Sequence, residues 1–135
     1  MELYDSMFIS ASGMRAQGER LRVIAENIAN AESVGETEGE DPYRRKVITF
    51  KNYLDRDIEA DLVKVNKIAT DPSEFKKRYE PGHPAADANG YVSYPNINTL
   101  VEMTDMREAQ RSYEANLKVI ETSRAMLSRT IDILR

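Results

Sequence analysis

The side chains best suited to chemistry in this sequence are a lone histidine, a run of acids and a basic triplet, and the setting of each argues against a reactive site. His83 is the only histidine. It stands inside Pro81-Gly82-His83-Pro84, a run of turn-forming residues. Acid–base catalysis or metal binding would need partner residues at set spacing, and none flanks it. There is no cysteine, which removes disulfides, thiolate zinc sites and a thiol nucleophile. Between Ala31 and Pro42 the acids Glu32, Glu36, Glu38, Glu40 and Asp41 crowd together with Gly35 and Gly39. A calcium loop would need an Asp/Asn ladder with a central glycine and a closing glutamate, and that order is missing. Glycoside hydrolysis would need two carboxylates facing one bond, but acids occur throughout and no pair is singled out. The sequence therefore predicts no catalytic residue, no cofactor and no metal site.

The charge balance excludes a further class. Nineteen Lys and Arg stand against 23 Asp and Glu, for a formal net charge of -4, with no basic stripe of the kind that phosphate binding requires. Nucleic acid is not an expected partner. The densest basic run, Arg44-Arg45-Lys46, falls between Tyr43 and Val47 and reads as the solvated face of a strand. Residues Met1 to Ser10 carry Glu2 and Asp5, lack a basic leader and have too short an apolar run for a secretory signal or a membrane span. On composition alone the chain is expected to stay in the cytoplasm unless a specialised exporter accepts it. With 135 residues, 41% hydrophobic and 31% charged, it has the size of one domain and a modest core.

With no reactive cluster to position, the elements themselves become the candidates for function. From Leu3 to Asn30, Met7, Met14, Leu21 and Ile28 recur every seven residues, with Leu3, Ile24 and the small Ala11 and Ala25 at offsets of three or four. Gly13 and Gly18 interrupt this helix, each costing about 1 kcal/mol relative to Ala. The series Ala11, Gly18, Ala25 also repeats at seven, and such small residues let another backbone approach closely. From Thr99 to Leu134, Met106, Tyr113, Ile120, Leu127 and Leu134 repeat every seven residues, with Met103, Leu117 and Ile131 at the intervening offsets. Thr99 and Glu102 have the spacing of a capping box.

The middle of the chain is different in kind. Residues 31–42 read as a solvated linker. Tyr43 to Phe50 and Leu62 to Ala69 read as strands, Lys51 to Asp61 carries no clear pattern, and Phe75 to Tyr79 and Tyr91 to Tyr94 read as short extended segments around the Pro81–Pro84 and Asn89-Gly90 turns. The expected fold is α+β: long N- and C-terminal helices packed as a coiled-coil domain (1–32 and 97–135), with a linker and small β-rich module between (33–96).

Helices of about 42 and 54 Å, at about 1.5 Å per residue, exceed what a compact chain of this size can enclose, since its radius of gyration would be about 14 Å. The helices can pair with each other, parallel or antiparallel, as an isolated stalk. Phe8, Ile9, Val119 and Ile133 lie off the main stripes, however, and a helix apolar on more than one side has more than one neighbour. The expected assembly interface is therefore Leu3, Met7, Met14, Leu21, Ile24 and Ile28 on the first helix, and Met103, Met106, Tyr113, Leu117, Ile120, Leu127, Ile131 and Leu134 on the second. Ala11, Gly18 and Ala25 are the expected close-packing positions.

The quoted segments resemble the axial rod and hook proteins of the bacterial flagellum. Ala25-Glu26-Asn27-Ile28-Ala29-Asn30 looks like the motif that ends their first helix, with Asn27 and Asn30 as its polar members. Pro42-Tyr43-Arg44-Arg45-Lys46, the run Tyr79-Glu80-Pro81-Gly82-His83-Pro84 and Asp87-Ala88-Asn89-Gly90-Tyr91-Val92 are similar to segments of a rod protein in that family. Glu102-Met103 with Asp105-Met106, then Ala109, Arg111 and Tyr113-Glu114-Ala115-Asn116, resemble the C-terminal signature. Ser33 stands where the family commonly has Thr, and the acidic loop after it departs from the pattern, as do Gln110 and Ser112. The resemblance implies a structural subunit of the proximal rod in the periplasm, exported by the flagellar type III apparatus without a cleaved signal. It implies neighbours among copies of itself and the rod proteins FliE, FlgB, FlgF and FlgG, with no nucleic acid and no direct membrane insertion. A cytoplasmic coiled-coil adaptor and a cell-wall-acting enzyme are the alternatives.

Overall fold

Two helices frame four strands. In the structure, a computed structural model that describes residues 3–133, α1 spans Leu3–Ala29, β1 Lys46–Asp55, β2 Ala60–Thr70, β3 Lys76–Tyr79, β4 Tyr91–Tyr94 and α2 Thr99–Ile133. The expected α+β order is present. No helix among the described residues is long and apolar enough to cross a membrane.

Local chemistry sets the boundaries. The family-like Asn30 closes α1, its side-chain amide donating to the Glu26 carbonyl (2.9 Å) while its side-chain oxygen accepts from the Ser33 hydroxyl (3.1 Å). Asn98 opens α2, its side-chain oxygen accepting from the Leu100 N–H at 3.1 Å. The capping box expected at Thr99 and Glu102 is replaced by this cap, because the Glu102 carboxylate is drawn inward to other partners.

The first sheet pairs β1 with β2 and the second pairs β3 with β4. Residues 51–55, without a clear pattern in sequence, extend β1. The turn that follows is held by Asp55, whose carboxylate accepts from the Asp57 N–H at 3.0 Å, and Glu59 takes the left-handed conformation at φ 49. In the second sheet Lys76 faces Tyr94 and Tyr79 faces Tyr91, antiparallel. Gly90 (φ 81) has to be glycine on two counts: the left-handed backbone, and a Cβ that would lie 2.9 Å from the Tyr79 ring. That ring meets Tyr91 edge-on at 5.3 Å between centroids.

The chain forms two compact units: Met1–Leu21 with Ile48–Lys67 and Arg107–Arg135, and Arg22–Val47 with Ile68–Met106. In the first unit Ser6 and Ser123 share a hydrogen bond of 3.1 Å, the Asn116 amide lies against Gly13, and Arg20 meets Glu108 at 3.6 Å. Each step of seven along α1 is thus a step of seven or eight back along α2, so the helices are antiparallel. Sequence periodicity had left that choice open. Ser10, Ala16, Leu62, Ala109 and Ser123 are the buried residues there, and the Ser12 hydroxyl accepts from the Val63 N–H at 3.2 Å, tying β2 to α1. The second unit has its own core of Val23, Ile24, Val92, Pro95 and Ile97, with Asn27 and Glu102 buried among them.

Candidate assembly surfaces and a buried polar cluster

The innermost positions of the helix seam hold small and polar side chains, half-buried apolar ones flank them, and a further set of large apolar residues is exposed. On α2 the series Met106, Tyr113, Ile120 and Leu127 is half-buried, and its inward companions are Glu102, Ala109, Asn116 and Ser123. Met103, Leu117 and Ile131 lie at the other offset and are exposed, by 50%, 40% and 59%. Val119, Met126 and Ile133 are exposed as well. Single exposed apolar residues are ordinary, but in the first unit Val119, Met126 and Ile133 recur at seven-residue spacing along one helix.

The first helix shows the same division. Leu3, Met7, Met14, Leu21 and Ile28 are half-buried, and Ile24 is buried. Tyr4, Phe8, Ala11, Arg15, Arg22, Ala25 and Ala29 are exposed and follow one another at offsets of three, four or seven. Gly18 belongs to that row, and no atom lies within 4 Å of the place its Cβ would take. Within this chain, then, Ala11 and Ala25 are exposed and the space beside Gly18 is open. The close approach is at Gly13, where a Cβ would meet the Asn116 amide nitrogen at 2.9 Å. Leu134 lies outside the described residues.

The second unit holds a polar cluster that sequence reasoning missed. Asn27, 1% exposed, treats the backbone of Lys46 as a partner strand: its amide donates to the Lys46 carbonyl at 2.8 Å and its oxygen accepts from the Lys46 N–H at 2.9 Å. The Tyr43 hydroxyl donates to the same oxygen at 3.2 Å. The Asn27 amide also donates to one oxygen of Glu102 at 3.1 Å, and Arg45 Nε donates to the other at 2.6 Å. Arg45 reaches Asp71 as well, at 3.4 Å, and Asn96 accepts from the Arg45 N–H at 2.9 Å. Every polar atom of the buried carboxylate is thereby satisfied, the condition under which such a group is tolerated.

The titration behaviour follows the contacts. Burial works against the Arg45 charge, yet the bonds to Glu102 and Asp71 outweigh it and its pKa is raised. Lys46 is raised chiefly by its hydrogen bond to Glu26. Burial, reinforced by the Glu26 charge, pushes the Tyr43 phenol up.

The basic triplet is therefore not the solvated strand face expected from sequence. Arg44 stacks over the Phe75 ring at 4.1 Å and donates to the Asp71 and Ser73 carbonyls, Arg45 enters the cluster and Lys46 pairs with Glu26. One signal was available: Asn27 and Glu102 both fall on inward positions of otherwise periodic helices, where polar residues need a reason.

Pro81, Gly82, His83 and Pro84 lie in the connection from β3 to β4. There His83 Nδ1 accepts from the Ala85 N–H at 3.1 Å, a turn-shaping role. Tyr113 and Asn116 face the seam, and Glu114 is exposed. Among the described residues no group of three or more His, Cys, Asp or Glu is placed to hold a metal ion. What the arrangement can do is hold two helices together from within and present apolar rows to a neighbour.

Comparison with known proteins bears on what that neighbour is. Residues 88–133 match the family model described as Flagellar basal body rod FlgEFG protein C-terminal. The chain is 53% identical over 127 residues to the flagellar basal-body rod protein FlgC of Agrobacterium fabrum, covering 94% of this chain and 91% of the relative. It is 39% identical over 133 residues to the protein of the same name from Salmonella typhimurium, covering 98% of each. To that of Borreliella burgdorferi it is 38% identical over 153 residues, covering 100% of this chain and 99% of the relative.

Proposed function

The chain belongs to the FlgC family of flagellar basal-body rod proteins and is a structural subunit of that rod, and from this premise we propose that its outer helix faces are the surfaces through which it assembles. The observation that carries the proposal is the apolar rows left exposed on α1 and α2 while their mutual seam holds serines, glycine, alanine and asparagine. Burying a large apolar side chain fully contributes about 1.5–3 kcal/mol, and Leu117, Val119, Met126, Ile131 and Ile133 each keep part of that gain for a neighbour.

In this reading residues 1–32 and 97–135 make the axial contacts, and the row of Ala11, Gly18 and Ala25 lets a neighbouring backbone come close. Residues 33–96 widen the grip of each subunit. The finer placement is the proximal rod in the periplasm, beside FliE, FlgB, FlgF, FlgG and further copies of this chain, after export without a cleaved signal. Torque is then carried by many shared helix contacts, with no catalysed step.

Fractionation tests it. A strain lacking this gene is complemented with the tagged chain, and basal bodies are purified. The tagged chain is expected at the membrane-proximal end of the rod, with motility restored. Recovery only in the cytosolic fraction would overturn the proposal and favour a cytoplasmic adaptor.

A further inference from the structure

Side chains of the chain itself occupy backbone groups at the margins of three strands. Asn27 bonds both the N–H and the carbonyl of Lys46 on β1, and the Ser12 hydroxyl accepts from the Val63 N–H on β2. On β4 the Tyr91 N–H donates to the Asp87 carboxylate, and the Tyr91 carbonyl accepts from the Asp87 N–H. β3 has no such cover. The Glu80 N–H donates to the Gly90 carbonyl, and Tyr79 stands opposite Tyr91. The alternation of an antiparallel ladder therefore turns the backbone of Arg78 toward β4 and that of Lys77 and Tyr79 away from it. Among the described residues these outward groups meet no hydrogen-bond partner, and all of β3 is exposed. An open strand edge of this kind is a template for another chain.

The side chains on that edge select the occupant. Lys76, Lys77 and Arg78 make it basic, so a second β3 laid against it would set like charges together. The occupant has to be acidic. Glu36, Glu38, Glu40 and Asp41 fill most of residues 36–41, with no base among them and every one exposed. Glu40 is committed to its own turn, accepting from the Glu36 and Thr37 N–H groups at 2.9 and 3.3 Å. The carboxylates of Glu36, Glu38 and Asp41 have no hydrogen-bond or ion-pair partner among the described residues. Within the chain the basic and acidic surfaces barely answer each other: Arg78 and Glu32 lie 3.9 Å apart at 53% and 76% exposure, a pair that contributes little in water.

We propose that the open edge of β3 receives the acidic run 36–41 of a second copy of this chain, whose carboxylates accept from the Lys77 and Tyr79 N–H groups and pair with the Lys77 ammonium. Such a contact uses one surface of each copy and leaves the other free, so it repeats from copy to copy as a rod requires. It rests on the reading that copies of this chain are neighbours in the rod, and it adds to the helix faces a contact made by the middle of the chain.

Because the chain has no cysteine, a single introduced thiol is unique. Two differently tagged copies, one with Glu38→Cys and one with Lys77→Cys, are made together in cells that build rods, and purified basal bodies are treated with a short thiol-to-thiol crosslinker. Neither copy can link within itself. A product carrying both tags is expected, several-fold above products that join two copies with the same tag. Adding Glu36→Lys and Asp41→Lys to the Glu38→Cys copy should lower it several-fold. Both copies recovered in basal bodies without the mixed product would overturn this inference and leave the helix faces standing. Absence of both copies from basal bodies would overturn the two readings together.

A charge swap separates docking from folding. Lys77→Glu should lower recovery of the chain in basal bodies several-fold, and Glu36→Lys with Glu38→Lys added to it should restore that recovery, since each copy then carries both reversed surfaces. All three positions are exposed, so the melting temperature of the purified chain should hold throughout. Unchanged recovery with Lys77→Glu, or a loss that the swap does not restore, would sink the proposal.

Discussion

Asp71 shows how much of the second unit rests on single side chains. One of its oxygens accepts from the Ser73 N–H at 2.9 Å, and the other lies 3.4 Å from Arg45. The backbone bond from Ser73, its hydroxyl and the Arg45 guanidinium together hold the carboxyl below its ordinary range. Asp87 is lowered in the same way, first by the Tyr91 N–H and then by that of Asn89. A carboxylate with a depressed folded pKa contributes stability that is present above its unfolded pKa, about 3.9, and is lost as pH falls through the folded value. The urea midpoint is therefore expected to hold steady down to about pH 5 and decline below about pH 4. Asp71→Asn should lower the plateau and flatten the decline; a midpoint that stays level to strongly acid pH would contradict this account.

At the scale of the element, the two glycines of α1 separate cleanly. Gly18 has open space where a Cβ would sit, so Gly18→Ala should stabilise the isolated chain by about 0.5–1 kcal/mol through helix propensity alone. Gly13→Ala has to displace the Asn116 amide, which donates to the Ser112 carbonyl at 3.0 Å, so its gain is expected to be cancelled. Denaturant unfolding of the two variants checks the difference in sign. The seam of α2 makes a related point. Leu117 and Asn116 each lie three or four residues from both Tyr113 and Ile120, so a repeat of seven has two equally spaced sets of companions. Hydrophobicity selects Leu117. The packed chain turns Asn116 inward, against Gly13, where an added Cβ would meet its amide nitrogen at 2.9 Å.

For the whole molecule, the decisive contrast is between stability and incorporation. Leu117→Asp places a charge on a residue 40% exposed in the chain, so the fold should survive with little change in melting temperature. In the assembled rod the same charge would be buried without a partner, which costs several kcal/mol. The expected outcome is a soluble, folded chain that fails to enter basal bodies and leaves cells non-motile. Leu62→Asp, at a residue only 6% exposed, should instead unfold the chain. Motility retained with Leu117→Asp would remove that position from the assembly surface.

By itself the sequence determined the two helices, the turn-rich middle and the family. Heptad repeats, Pro81-Gly82-His83-Pro84 and Asn89-Gly90 act locally, and each is written in consecutive residues. Tertiary structure alone decided the antiparallel pairing, the choice of Asn116 over Leu117, and the fate of the basic triplet. Arg45 is hydrogen-bonded to Glu102, 57 positions later, and Asn27 to Lys46, 19 positions away. The charge of a side chain is legible in sequence. Whether water or a buried partner answers it depends on which distant element folds against it.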